Sequence, residues 1–201
     1  MMREAMMVSA AVLLLVGCGP KSDQKPAPVA AAAPPAATVQ PAAAPKCVGP
    51  EWRQLDFWVG DWVAEWPDPE GKGHGRNRIT RNEYGDCVIY ERFTADDGTL
   101  RGMSVSSYRP GMKKWRQVWV DDQGGFFNLT GGPVTGQPHI FELVNERPTE
   151  RAPPLRMIWQ DVTPDHFVWR WQTQKPGSTE WVDQWRINYR RATPADAPAK
   201  P

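Results

Sequence analysis

Trp115-Arg116-Gln117-Val118-Trp119-Val120-Asp121 sets two indoles and two hydrogen-bonding side chains on alternate positions of one short run. Indoles offer broad, rigid apolar faces with a polar edge, suited to stacking on rings, sugars or lipids. Small-molecule pockets are mostly apolar with a few placed polar groups. On that chemistry the candidate ligand-lining residues are Trp58, Asn77, Glu91, Trp115, Gln117, Trp119, Asp121, Glu142 and Trp171. Glu91, Asp121 and Glu142 could also act as acid and base, because a carboxyl in a tryptophan-lined interior has a raised pKa. A plainer reading stands beside both: the 11 Trp fill the interior as core, and polar neighbours satisfy their indole N–H groups.

The sequence carries no Gly-x-Ser-x-Gly, no His-Glu-x-x-His and no Gly-rich phosphate loop. A metal site is not expected, since there is no Cys-x-x-Cys and His74, His139 and His166 lack ligand-like spacing. His74, in Gly73-His74-Gly75, reads as a solvated turn residue. A formal charge of +1 gives no basic face for nucleic acid. The catalytic residues, if any, stay unknown at this level.

The elements that must position these side chains are strands. No segment keeps helical spacing for long, whereas short runs of Val, Ile, Thr, Tyr, Phe and Trp recur between turn signals such as Asp97-Gly98, Pro110-Gly111 and Pro176-Gly177. The spacing predicts about ten strands, chain neighbours pairing as antiparallel hairpins. Period two puts Trp58, Gly60, Trp62, Ala64 and Trp66 on one face, and likewise Trp115, Gln117, Trp119 and Asp121. Further on it groups Phe167, Trp169, Trp171 and Thr173, and then Trp181, Asp183, Trp185, Ile187 and Tyr189. Closing the meander removes its exposed edges and gives an all-β, antiparallel up-and-down barrel of about 8–10 strands. An antiparallel sandwich is the alternative.

Folding is confined to residues 47–191. Residues 18–46 are mostly Ala and Pro, which bury little and remove backbone donors, so a disordered, extended spacer of roughly 3 Å per residue is expected. Residues 192–201 share that character and are expected to be a disordered tail. Residues 1–17 read as a signal peptide: Arg3 precedes an apolar run from Met6 to Val16 that is too short to span a bilayer. The run ends in Leu15-Val16-Gly17-Cys18, which resembles the bacterial lipobox. That resemblance implies cleavage before Cys18, acylation of its thiol and new amine, and a lipid bilayer as partner. Gly19 after Cys18, by the sorting rule of enteric-type bacteria, points to an outer-membrane lipoprotein facing the periplasm.

With Cys18 acylated, Cys47 and Cys87 remain in a compartment that permits disulfides, and an even remainder argues for one bridge. Two buried free thiols are the alternative.

Phe57-Trp58-Val59-Gly60-Asp61-Trp62 resembles the Gly-x-Trp opening of calycins, the lipocalin-like barrels. The resemblance implies that Trp62 plugs one end of the barrel and that a basic residue of the last strand, Arg190 or Arg186, packs across it. A wider set is similar to a group of bacterial envelope proteins placed with domain of unknown function 1579. It comprises Asp56-Phe57-Trp58, Asn77-x-Ile79, Cys87-Val88-Ile89, Glu91, Trp115-x-Gln117-x-Trp119-Val120-Asp121, Gly124, Leu129-x-Gly131, Trp171 and Tyr189-Arg190. It covers nearly all of residues 47–191 and supports the fold, bringing no activity with it. Some related small barrels bind haem through a histidine, but His166 merely opens the penultimate strand and the other two lie earlier. No cofactor is therefore expected.

Three functions are compatible with these readings. The first is a membrane-anchored envelope lipoprotein whose barrel binds a small amphipathic or aromatic ligand. The second is a non-catalytic interaction module using outward residues such as Val59, Val63 and Val118. The third is a lyase or isomerase using Glu91 or Asp121.

Overall fold

The computed structural model describes residues 46–69, 71–81, 83–146 and 153–196. The signal peptide, Cys18 and the spacer to residue 45 lie outside the described residues, as does the tail from residue 197.

Ten antiparallel strands close into one ring. In chain order they are β1 (Gly60–Asp68), β2 (Gly71–Thr80), β4 (Ile89–Ala95), β5 (Arg101–Arg109) and β6 (Lys114–Asp121), then β7 (Phe126–Val134), β8 (Gln137–Asn145), β9 (Leu155–Gln160), β10 (His166–Gln174) and β11 (Trp181–Arg191). The short strand β3 (Glu83–Asp86) stands outside the ring between β2 and β4. Chain neighbours pair throughout, and β1 pairs with β11 to close the circle. The predicted up-and-down barrel is thus the fold, and the sandwich is not. The physical reason lies in the sequence: half-buried alternation along most of the strands leaves one apolar face, and closure buries that face without an edge.

Inside, the barrel has two halves of different character. At one end, two 3₁₀ turns, Pro50–Arg53 and Asp56–Trp58, cross beneath the strands and close the floor. Leu55, Trp58, Trp62, Trp115, Leu129, Phe141, Leu143, Trp159 and Phe167 fill that end completely. Their rings meet edge to face, as the aromatic quadrupole favours: Trp58 on Trp159 at 5.3 Å, Trp62 on Phe167 at 4.6 Å and Phe141 on Trp159 at 5.7 Å. Trp58 therefore belongs to a 3₁₀ turn and to the core, not to the first strand or to a ligand lining. The chain has not yet entered the sheet at this residue, so strand alternation does not govern it.

The expected plug is present at this end, with a different arginine. The Arg191 guanidinium lies 3.8 Å from the centre of the Trp62 ring and donates to the backbone carbonyls of Val59 (2.6 Å), Phe57 (3.2 Å) and Pro164 (2.8 Å). Pairing decides which arginine takes the role. Arg191 stands directly opposite Trp62 and shares its face, whereas Arg190 stands opposite Val63 and points outward to Asp196 and Glu65. Gly60 makes room for this arrangement: it has φ +138°, and a β-carbon there would sit 1.9 Å from Arg191 Nη1. Arg186, the other candidate, pairs with Arg170 further along β11.

Cys47 and Cys87 form a disulfide, as the cysteine count predicts, with their Cα atoms 5.2 Å apart. It ties the segment leading into the floor turns to the strand-entry before β4. The expectation of a tail that detaches after Arg191 needs correction over its first residues. Ala192 N–H donates to Asp61 O at 2.9 Å, and a short 3₁₀ turn at Pro194–Asp196 brings Asp196 onto the Arg190 guanidinium at 2.7 and 2.9 Å. Charge-assisted, two-point pairing of this kind holds a short segment that composition alone would leave free.

Candidate functional site

The opposite half of the barrel is hollow. A chamber of about 220 Å³ opens between the hairpin turns that join β4 to β5 and β6 to β7, and reaches down to Glu91. Its walls are aromatic: Phe93 on β4, Trp119 on β6, Phe127 on β7, Trp169 and Trp171 on β10, and Trp185 on β11. Leu100, Met157 and Ile187 complete the apolar surface, with Asp121 and Gln123 near the mouth. Each wall residue faces inward through strand alternation.

The rings are held by one another. Trp169 and Trp171, two residues apart on β10, lie nearly parallel at 5° with centroids 6.4 Å apart. Trp185 meets Trp169 (5.7 Å), Phe93 (5.6 Å) and Trp66 (5.2 Å), each close to perpendicular. Phe127 closes on Trp171 at 5.0 Å. Trp119 is positioned from two sides. Its Nε1 donates to Asp121 Oδ2 at 2.9 Å, and Gly102 on the neighbouring strand leaves room for the ring. A β-carbon on Gly102 would stand 2.1 Å from Trp119 Cζ2.

Glu91 lies at the chamber floor and is 7% exposed. Asn77 Nδ2 donates to its Oε1 and Ser104 Oγ to its Oε2, each at 2.7 Å. Asn77 Nδ2 also reaches the Tyr189 hydroxyl at 3.3 Å. Burial pushes the Glu91 carboxyl up to about 7, the two hydrogen bonds offsetting only part of that rise. Burial, together with the neighbouring Glu91 charge, also drives the Tyr189 phenol well above its ordinary range, so it stays protonated. Asp121 behaves in the opposite way. Partial burial raises its carboxyl, but donation from Trp119 Nε1 and the Gly125 and Gln123 N–H groups outweighs this and holds it below the usual range. The chamber therefore has one carboxyl ionised throughout and one that titrates near neutrality.

Of the candidate lining residues, the structure brings Glu91, Trp119, Asp121 and Trp171 together in the chamber. Asn77 stands behind Glu91 as its hydrogen-bond donor. Trp115 and Gln117 face inward as alternation requires, but they lie in the packed half: Trp115 Nε1 donates to Gln54 Oε1 at 3.1 Å and Gln117 Nε2 to Ser106 Oγ at 3.0 Å. Glu142 is on the outside of the barrel. Phe141 and Leu143 on either side of it point inward, and its carboxylate meets Arg156 at 2.7 Å.

The last strand also departs from simple alternation. A β-bulge lies between Trp171 and Gln172 on one side and Trp185 and Asp183 on the other. One extra residue reverses the face, so Trp185, Ile187 and Tyr189 point inward while Trp181 and Asp183 point out. Trp181 there lies under the Arg156 guanidinium at 4.3 Å, and Asp183 receives Arg170 and Gln172.

Two further features lie on the outer surface of the barrel. A groove of about 1130 Å³ runs along the outside of β1, β2 and β4, and four of its charged side chains pair within it, Arg76 with Asp96 and Arg78 with Asp61. Outward side chains of β5 to β7, namely Met103, Val105, Val118, Val120 and Phe126, form an apolar stripe in cross-strand register. Among the described residues no group of three His, Cys, Asp or Glu side chains is placed to hold a metal ion. No protein-family model matches the chain, and no curated protein matches it either.

Proposed function

We propose that this protein is a lipid-anchored envelope protein whose barrel binds a small amphipathic or aromatic ligand in the open-end chamber. The observation that carries the reading is the division of the interior. One half is packed to completion, whereas the other leaves about 220 Å³ walled by indoles and phenyl rings with two carboxyls in reach. A barrel needing only stability would have filled both ends, because unfilled apolar space costs contacts. The anchoring part rests on the lipobox-like Leu15-Val16-Gly17-Cys18 and the Ala/Pro spacer after it.

The test is a titration of intrinsic tryptophan fluorescence with a panel of aromatic, sugar and lipid-like small molecules. Trp119, Trp169, Trp171 and Trp185 line the chamber, so an occupant alters their emission. Saturable change is the expected result; silence across the panel would sink the binding reading. Incorporation of a labelled fatty acid that is lost in Cys18→Ser checks the anchor separately.

The apolar stripe on β5 to β7 supports a second reading, an interaction module. Concentration-dependent self-association removed by Val105→Lys, with no ligand response in the chamber, would favour it over the first.

A further inference from the structure

We infer that the chamber's ligand is a small organic cation, an ammonium group carried on an apolar or aromatic body. This rests on the proposed binding role of the chamber and adds the charge of what enters it.

Glu65, Glu83, Glu142, Glu146 and Asp183 each meet an arginine. The two chamber carboxyls do not. Glu91 receives hydrogen bonds from an amide and a hydroxyl, and Asp121 from an indole and two backbone N–H groups. All of these donors are neutral. No residue lining the chamber is Lys, Arg or His. An ionised carboxylate beside aromatic walls attracts a cation, and no side chain lining this space supplies one.

The walls point the same way. An aromatic ring is negative on its face, and indole faces attract ammonium groups more strongly than the faces of the other aromatic side chains do. Trp119, Trp169, Trp171 and Trp185 surround the same space as the two acids. An anion entering would meet aromatic faces and two acidic groups with no positive partner. A neutral guest would gain the stacking alone. A cation gains both, and its non-polar body occupies the apolar surface given by Leu100, Met157 and Ile187.

Calorimetric titration of the full chain in lipid nanodiscs tests this with three probes that share a phenylethyl-type body: phenethylammonium, 2-phenylethanol and phenylacetate. The expected order is ammonium over alcohol by about tenfold or more, with the carboxylate weakest. Glu91→Gln and Asp121→Asn should each shrink the ammonium-to-alcohol ratio, and that ratio is unaffected by a variant that is merely less stable. If the alcohol binds as tightly as the ammonium, the charge preference is wrong while the binding function survives. Binding of phenylacetate above the others would also overturn the preference. If none of the three binds and the wider fluorescence panel is silent, the binding function itself fails.

Discussion

Glu91 gives the fold a pH signature of its own. The native state favours its protonated form, with a pKa of about 7 against 4.5 for the free group. Between those values the folded protein holds a proton that the unfolded chain has released, so stability falls as pH rises. The stabilisation is complete below about pH 4.5 and is lost through about pH 7, a change of roughly 3 kcal/mol. The groups facing Glu91 do not cancel it. Asn77 on β2 and Ser104 on β5 are neutral, Tyr189 on β11 stays a phenol, and Asp121 on β6 is ionised throughout. Glu91→Gln should therefore flatten the difference in urea midpoint between pH 5 and pH 8; an unchanged difference would place the titration elsewhere. At this scale the sequence was a good guide to type and a poor one to position. Glu91 and Asp121 could be picked out as acids among tryptophans. For the Trp62 plug the resemblance points to Arg190 or Arg186, but Arg191 fills the position, because a shift of one residue along a strand changes face and only the pairing partner reveals it.

Strands impose their geometry on the chamber through their neighbours. Gly102 on β5 is the clearest instance, since the space it leaves is what the Trp119 ring uses. Gly102→Ala should displace that ring, break its bond to Asp121 and weaken ligand binding by about tenfold. A stability loss of about 1–3 kcal/mol should accompany it. Titration and thermal melting of the variant measure the two effects, and an unaltered affinity would mean that Trp119 is not a wall of the site. Alternation was legible along β6, where Trp115, Gln117, Trp119 and Asp121 all face inward. It failed at Trp181 and Asp183 because the β10–β11 bulge carries no glycine or proline to announce it. The boundary between packed and hollow halves was not legible either. It depends on Leu55 and Trp58 arriving from outside the sheet to fill one end, an event no strand pattern encodes.

Taken as a whole, the barrel was readable because turn signals and half-buried strands repeat around it, and closure is the arrangement that satisfies all of them together. Its ends differ in how they are secured. The closed end has the disulfide, the 3₁₀ floor, and Arg81 bonded to Asp56 and to the Asp86 carbonyl. Bridging a separation of 40 residues should contribute up to roughly 4 kcal/mol on the chain-entropy account. Cys47→Ser with Cys87→Ser should lower the melting temperature and leave the ligand affinity of the folded fraction unchanged, because the chamber lies at the other end. A parallel loss of affinity would show that the two ends are coupled. If they are independent, the molecule has a division of labour built into its axis. Turns at the mouth, such as those around Leu100 and Gln123, are then open to evolutionary or engineered variation, while the Trp62–Arg191 stopper carries the burden of folding. Guest specificity could drift from one descendant to the next on an unchanging pedestal.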